Sequence, residues 1–287
     1  VAFINRDRST HPGGDLVQLD ATMEALCKRG IECVETGSTA ESIRGFDIAH
    51  LFHCNFNWSY TAYKAILDSG VPYVLTPIYY PGPMLVGITQ EDCFSIVSGA
   101  KRVLPFSLTE LDYLERELPY SLGEVTIIPN GTALEFHSTL YEGREFVVAG
   151  VSARGATDKG MDIVRRICQV ENVTFVLLTG LDRRELTDKL KYSKVFVNAS
   201  SSERMSLSIG EALCAGCRVL ATDRNWGNEW YSRIKTFDPG DEAELRRLVR
   251  WALETPKWEY GPNDMARALT WDRTAESLER VYQQALT

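Results

Sequence analysis

The chain has 287 residues, a formal net charge of −8, and 44% hydrophobic against 24% charged residues. At about 100–200 residues per domain, that length suggests two domains of ordinary globular composition. It excludes intrinsic disorder, a collagen repeat and a disulfide scaffold for the chain as a whole, and no apolar run approaches the roughly 18 residues of a membrane helix. Val1–Asn5 is apolar but short, and Arg-Asp-Arg follows, which does not read as a signal peptide. Residues 1–140 carry 9 Lys+Arg against 17 Asp+Glu, whereas residues 141–287 carry 22 of each. The acidic first half should repel polyanions and anionic lipid surfaces, which argues against a nucleic-acid partner. Seven scattered cysteines, mostly in apolar stretches, suit reduced thiols in the cytoplasm. Cys214 and Cys217 form one C-x-x-C pair at the end of a predicted helix. With no second pair, packing explains them better than zinc or redox chemistry.

In chain order, Val1–Asn5 reads as a buried strand and Arg6–Gly14 as a loop containing Gly13-Gly14. Leu16, Leu19, Met23 and Leu26 mark one face of a helix ended by Gly30. Strands are predicted at Ile31–Thr36, Phe46–His53 and Val71–Ile78, with a helix at Tyr60–Leu67 stopped by Gly70. Ser107-Leu-Thr-Glu110 is a capping box opening a helix to about Leu118, and Val125–Ile128 is another strand. The second half repeats the pattern: strands at Glu145–Gly150, Thr174–Thr179, Val195–Asn198 and Arg218–Ala221, and helices at 160–170, Leu181–Leu190, Leu207–Leu213, 241–253 and 272–286. Alternating strands and helices predict parallel, doubly wound sheets. The fold class expected is α/β, two Rossmann-like domains facing a cleft, divided within 135–144.

The most informative stretch runs from Ser200 to Gly216. A strand ends at Asn198, a short loop holds Glu203, and a helix starting near Ser206 holds Glu211. A helix N-terminus at the carboxyl end of a parallel strand favours a phosphate through its free N–H groups and dipole. Glu203 precedes that terminus, and Glu211 lies roughly 8 Å inside it at about 1.5 Å per residue. The two carboxylates can therefore accept hydroxyls on either side of a bound diphosphate, as a nucleotide sugar requires. Taken alone, two Glu eight apart are better described as ordinary solvated helix charges.

The flanking pattern separates these readings. Glu203-x7-Glu211, with Ala212, Gly216 and an apolar strand behind it, resembles the signature of retaining, family-four-type glycosyltransferases of the GT-B fold. Other segments follow in that family's order. Gly13-Gly14 stands between the first strand and a long helix. Asp47-Ile-Ala-His50 is similar to its "DivH" strand end, and Ile127-Ile-Pro-Asn-Gly131 to its "viPNG" segment. Lys159-Gly160 follows the first strand of the second half, and Trp271 with Val281-Tyr282 resembles the closing "sW…vY" helix. The resemblance spans nearly the whole chain. It implies an acceptor domain at 1–138, a nucleotide-sugar domain at 139–268, and a helix at 269–287 that packs back on the first domain.

The resemblance also implies roles. Glu211 binds the donor ribose, Glu203 contacts the transferred sugar, and Lys159 with Arg154 neutralises the diphosphate leaving group. Gly13-Gly14 brings backbone close to the donor phosphate or the acceptor, while Ser206, Leu207 and Gly180 join the donor-binding set, with base contacts around Gly180–Arg183. His50 stands near the transferred sugar, or is a hydrogen-bonded histidine at a strand end. His53, Tyr79 and Tyr80 are acceptor-side candidates, or parts of a rigid Pro-bounded loop. The implied enzyme is a retaining hexosyltransferase using a UDP- or GDP-sugar as co-substrate. It uses no other cofactor or metal, and its acceptor is a glycan, protein or small molecule. The sequence has no Asp-x-Asp pair at a strand end, and Asp182 and Asp188 are too far apart. It departs from the family in one segment: Arg204-Met205-Ser206 replaces the usual Gly-Phe-Gly, and Ser206 there suits a helix N-cap. That change motivates the competing reading, a non-catalytic sugar-nucleotide or glycan-binding module on the same fold. A phosphorolytic or hydrolytic enzyme is the third.

Overall fold

The computed structural model describes residues 1–8, 13–80, 87–118, 122–136, 146–150, 159–255 and 268–287. Two compact units result: Val1–Pro129 with Trp271–Thr287, and Asn130–Thr270. The sequence placed the division at 138/139, later than the observed one. Residues 130–136 belong with the second unit because their backbone and side chains are taken up there. The Asn130 N–H donates to Met205 Sδ at 3.1 Å, the Thr132 N–H to the Leu269 carbonyl at 2.6 Å, and Phe136 is fully buried.

Unit 1 contains β1 (Ala2–Ile4), α1 (Gly14–Lys28), β2 (Val34–Glu35), α2 (Ala40–Ile43), β3 (Ala49–Phe52), α3 (Asn57–Ser69), β4 (Tyr73–Thr76), α4 (Gln90–Ser98), β5 (Arg102–Val103), α5 (Leu108–Glu117) and α10 (Trp271–Ala285). Its five strands are all parallel, in the order β2-β1-β3-β4-β5. Central strands of such a sheet are covered on both faces, and every residue of β1, β3 and β4 is buried. Phe3, Leu19, Leu26, Leu51, Phe52, Ile66 and Leu75 form the core between sheet and helices. The closing helix α10 lies on α1, where Arg29 pairs with Glu279 at 2.7 Å.

Two predicted strands shrink for local reasons. Gly30, at φ 82°, ends α1 in a turn in which the Ile31 N–H returns to the Leu26 carbonyl at 3.2 Å, so β2 begins only at Val34. Val125–Ile128 pairs through a single bridge, Val103 to Val125, rather than as a strand. Ser107 caps α5 as expected, its hydroxyl accepting from the Glu110 N–H at 3.0 Å. The buried Glu110 carboxylate accepts from the backbone N–H groups of Phe106 and Tyr79 instead, both at 2.7 Å.

Unit 2 contains β6 (Phe146–Gly150), α6 (Met161–Val170), β7 (Phe175–Leu178), α7 (Arg183–Tyr192), β8 (Ser193–Asn198), α8 (Leu207–Cys214), β9 (Arg218–Thr222), β10 (Lys235–Phe237) and α9 (Glu242–Glu254). Its sheet is again wholly parallel, in the order β10-β9-β8-β6-β7. Val195, Val197, Leu220, Val164, Ile167, Leu245 and Val249 build one core between the sheet and helices α6 and α9. Both units have the same winding. The first strand has the second on one side and the third on the other, so the order reverses at β1/β3 in unit 1 and at β6/β8 in unit 2.

Candidate functional site

In open parallel sheets, ligands bind beyond the carboxyl ends of the strands where the order reverses. In unit 2 that point lies between β6 and β8. Gly160 leads into α6 at φ 63°, and a Cβ there would sit 2.4 Å from the Ala199 carbonyl oxygen. Glycine alone permits this approach. It brings Lys159 to the end of β8, where its ammonium pairs with the Glu203 carboxylate. Ser200 donates its hydroxyl to the same carboxylate at 2.8 Å. The Glu203 backbone is pinned from β9: its N–H donates to the Arg224 carbonyl at 3.0 Å, and its carbonyl accepts from Trp226 N–H at 3.2 Å.

Helix α8 starts four residues after Glu203, at Leu207. Ser206 stands at the N-cap position, yet its hydroxyl does not cap the helix. It lies 2.9 Å from the Ser208 hydroxyl and accepts from Asn198 Nδ2 at 3.3 Å. The other side-chain atom of Asn198, Oδ1, is buried without a partner among the described residues, as is Asn225 Oδ1. Further along α8, Glu211 is 7% exposed. Burial pushes its pKa up, and the Arg183 guanidinium, donating at 2.9 Å, opposes that shift. Arg183 also donates to Glu135 at 2.5 Å and covers the Phe136 ring at 4.6 Å. Gly180, exposed and at φ 64°, turns the chain into α7. Unit 2 thus gathers Lys159, Glu203, Ser206, Leu207 and Glu211 along one helix and the two strand ends beside it. Arg154 lies outside the described residues.

In unit 1 the predicted residues separate. His50 is buried in β3, with Nδ1 2.7 Å from the Tyr282 hydroxyl and Nε2 2.8 Å from Thr76 Oγ1. Both ring nitrogens are used inside the core, the geometry of the alternative expected for His50, a hydrogen-bonded histidine at a strand end. Burial lowers its pKa to about 3. Tyr79 is buried, and its hydroxyl donates to Glu117 at 2.6 Å. His53 and Tyr80 remain together at the end of β3, ring centroids 6.5 Å apart and nearly parallel. Gly13 has extended backbone, and the space a side chain would fill is held by Arg6, 2.1 Å from an ideal Cβ. Gly14, the first residue of α1, faces open space.

No protein-family model and no curated protein sequence matches the chain. Solved structures do. A sucrose-phosphate synthase from Thermosynechococcus elongatus superposes with a TM-score of 0.77 at 16% identity, covering 99% of this chain and 98% of that one. HepE from Anabaena, in complex with UDP, gives 0.73 at 14% identity over 99% of both chains. An E. coli trehalose-6-phosphate structure bound with UDP-2-fluoro glucose gives 0.75 at 10% identity, over 99% and 98%. The fold is GT-B.

Within this GT-B fold the altered Arg204-Met205-Ser206 segment is packed rather than open. Met205 is buried, takes the Asn130 N–H on its sulfur, and lies where a side chain at Gly227 would come within 2.7 Å of it. The Arg204 guanidinium stacks on Trp226 at 4.0 Å. The segment therefore trades glycine freedom for contacts with the loops on either side. Cys217 points its thiol at the carbonyls of Leu190 and Ser193, and Cys214 is buried, so this C-x-x-C pair is packing. Among the described residues, no helix is long and apolar enough to cross a membrane.

Sequence reading missed Arg6, Asp15 and Trp58, which surround His53, and the Arg183–Glu211 contact. For Asp15 a signal existed: an acid in the first turn of the helix that follows Gly13-Gly14. Trp58 carried none.

Proposed function

We propose that the chain is a metal-independent retaining glycosyltransferase that moves a hexose from a UDP- or GDP-sugar to a hydroxyl acceptor. The observation that carries this reading is the meeting of Lys159, Glu203 and the α8 N-terminus at the β6/β8 ends, with Glu211 on the same helix. It is supported by a fold shared with structures that hold UDP and a UDP-sugar analogue. Breaking a glycosyl–phosphate bond leaves negative charge on the diphosphate. The Lys159 ammonium and the N–H groups opening α8 stabilise that charge where it develops. Glu203 holds the ammonium before the donor arrives and then faces the positive charge building on the sugar. Glu211, whose upward shift from burial Arg183 opposes, accepts the ribose hydroxyls. Seven free cysteines suit a reducing compartment, which points to the cytoplasm.

Binding to the folded state raises apparent stability with ligand saturation. A thermal-shift series with UDP-, GDP-, ADP- and dTDP-sugars in EDTA should show a shift for one nucleotide, lost in Glu211→Ala. Sugar transfer should vanish in Glu203→Ala while folding persists. Absence of any shift, or transfer that requires a divalent metal, would overturn the proposal.

A further inference from the structure

Consecutive carbonyls of the Glu203 loop are each taken by a donor from another segment. The Glu203 carbonyl accepts the Trp226 N–H at 3.2 Å, the Arg204 carbonyl accepts the Gly227 N–H at 2.7 Å, and the Met205 carbonyl accepts from Asn130 Nδ2 at 3.4 Å. The first two donors belong to the segment that follows β9. The third belongs to the first residue of unit 2. Asn130 and Met205 are each 6% exposed, and a second bond joins them: the Asn130 N–H donates to Met205 Sδ at 3.1 Å. Asn130 therefore grips Met205 at two points, its sulfur and its carbonyl.

The bond to sulfur selects the residue type. A buried backbone N–H needs an acceptor. The peptide that carries this one is not free to turn, because its carbonyl, on Pro129, accepts the Thr274 hydroxyl at 3.0 Å. A thioether is a weak acceptor, and a leucine or phenylalanine side chain offers none. Methionine is also unbranched and fits a narrow path. On another side, an ideal Cβ at Gly227 would stand 2.7 Å from Met205 Cγ and 3.1 Å from its Cα. Glycine at 227 is what lets the two segments lie against each other. Met205 is thus fixed between Asn130 and Gly227, two residues beyond Glu203. The segment after β9 pins the Glu203 backbone directly, and Met205 adds an anchor from a different part of the chain.

We infer that Met205 and Asn130 are positioning residues that hold the Glu203 carboxylate toward the transferred sugar. The inference rests on the transfer reading above. It gives the altered Arg204-Met205-Ser206 segment a part in donor binding, since side-chain anchors take over the placement of the loop. The effect is confined to the sugar. A bare nucleoside diphosphate lacks the group that Glu203 meets, and it is held by Lys159, the opening N–H groups of α8 and Glu211.

Calorimetry tests this by comparing UDP with UDP-glucose, and GDP with GDP-mannose, on the wild type, Met205→Leu and Met205→Gln. Leucine keeps the volume and loses the acceptor. Glutamine restores an acceptor on an unbranched chain. Met205→Leu should bind the bare diphosphate as the wild type does and the nucleotide sugar about tenfold more weakly, the loss expected for one buried hydrogen bond. Met205→Gln should recover most of that affinity. Exchange of the Asn130 amide proton, followed by 1H–15N NMR, should accelerate in Met205→Leu and not in Met205→Gln. Asn130→Ala keeps the N–H, removes only the Nδ2 bond, and should weaken the nucleotide sugar selectively as well, which covers the case of a Met205→Leu that does not fold. Asn130 exchange indifferent to Met205→Leu, equal weakening of diphosphate and nucleotide sugar, or variants that bind both as the wild type does would each overturn the proposal and leave the transfer reading standing. A wild-type protein that binds none of these ligands would remove the transfer reading and this proposal with it.

Discussion

The Tyr282 hydroxyl lies 2.7 Å from His50 Nδ1, across 232 residues of sequence, and ties the closing helix to the middle of the first sheet. Removing it in Tyr282→Phe strands a buried nitrogen. The expected cost is about 1–3 kcal/mol, read as a lower urea midpoint with unchanged slope.

The same contact predicts acid sensitivity. His50 titrates at about 3 in the folded chain and 6.5 ordinarily, because burial disfavours its charged form. Between these values the unfolded chain binds the extra proton. Stability from this group is fully present above pH 6.5 and lost as pH falls toward 3, at up to about 1.4 kcal/mol per pH unit. His53 is shifted in the same direction. Asp15 is depressed to about 2, so its own contribution is lost only near and below the ordinary Asp range. Urea unfolding from pH 7 to 4 should therefore show a slope that His50→Gln reduces. An equal slope in both proteins would refute the assignment.

Gly160→Ala tests how the donor-side cluster is assembled. The added methyl would meet the Ala199 carbonyl oxygen at 2.4 Å in a left-handed backbone. Separation of the two strand ends should displace Lys159 from Glu203. We expect a loss of about 1–3 kcal/mol together with weakened nucleotide binding. Gly37→Ala, where the added methyl would meet only Ser42 Oγ at 3.8 Å, is the control and should change neither.

Lys159→Met removes the cation from a mostly buried pair, the side chains being 17% and 19% exposed, and leaves Glu203 short of a partner at a cost of about 1–3 kcal/mol. Transfer should fall by about 10²–10³, the range for losing one preorganised group at a developing charge. Steady-state kinetics and a thermal midpoint measured on the same sample distinguish this from unfolding.

Arg183 opposes the upward pKa shift that burial gives Glu211. In Arg183→Met the carboxyl loses that opposing charge, and burial alone raises its pKa further. Nucleotide affinity, measured by calorimetry, should then begin to weaken at a higher pH than in the wild type as acid is added. An unchanged pH profile would separate Arg183 from the site.

The amino-acid pattern alone was enough for the repeated strand–helix order, because apolar periodicity and glycine stops are local properties. It also placed Glu203 in the loop before α8 and Glu211 within that helix. The cap at Thr89 with Asp92, which opens α4, was equally local and went unread. Two-residue strands such as β5 escape because they exist only through their neighbours. The histidines show what the tertiary structure alone decides. His50 and His53 stand three residues apart with no local feature to separate them. Thr76 and Tyr282 satisfy one of them from distant positions, while Asp15 meets only Nε2 of the other, whose Nδ1 has no partner among the described residues. Hydrogen-bond partners are allotted by packing across the sheet, and no local pattern records that allotment.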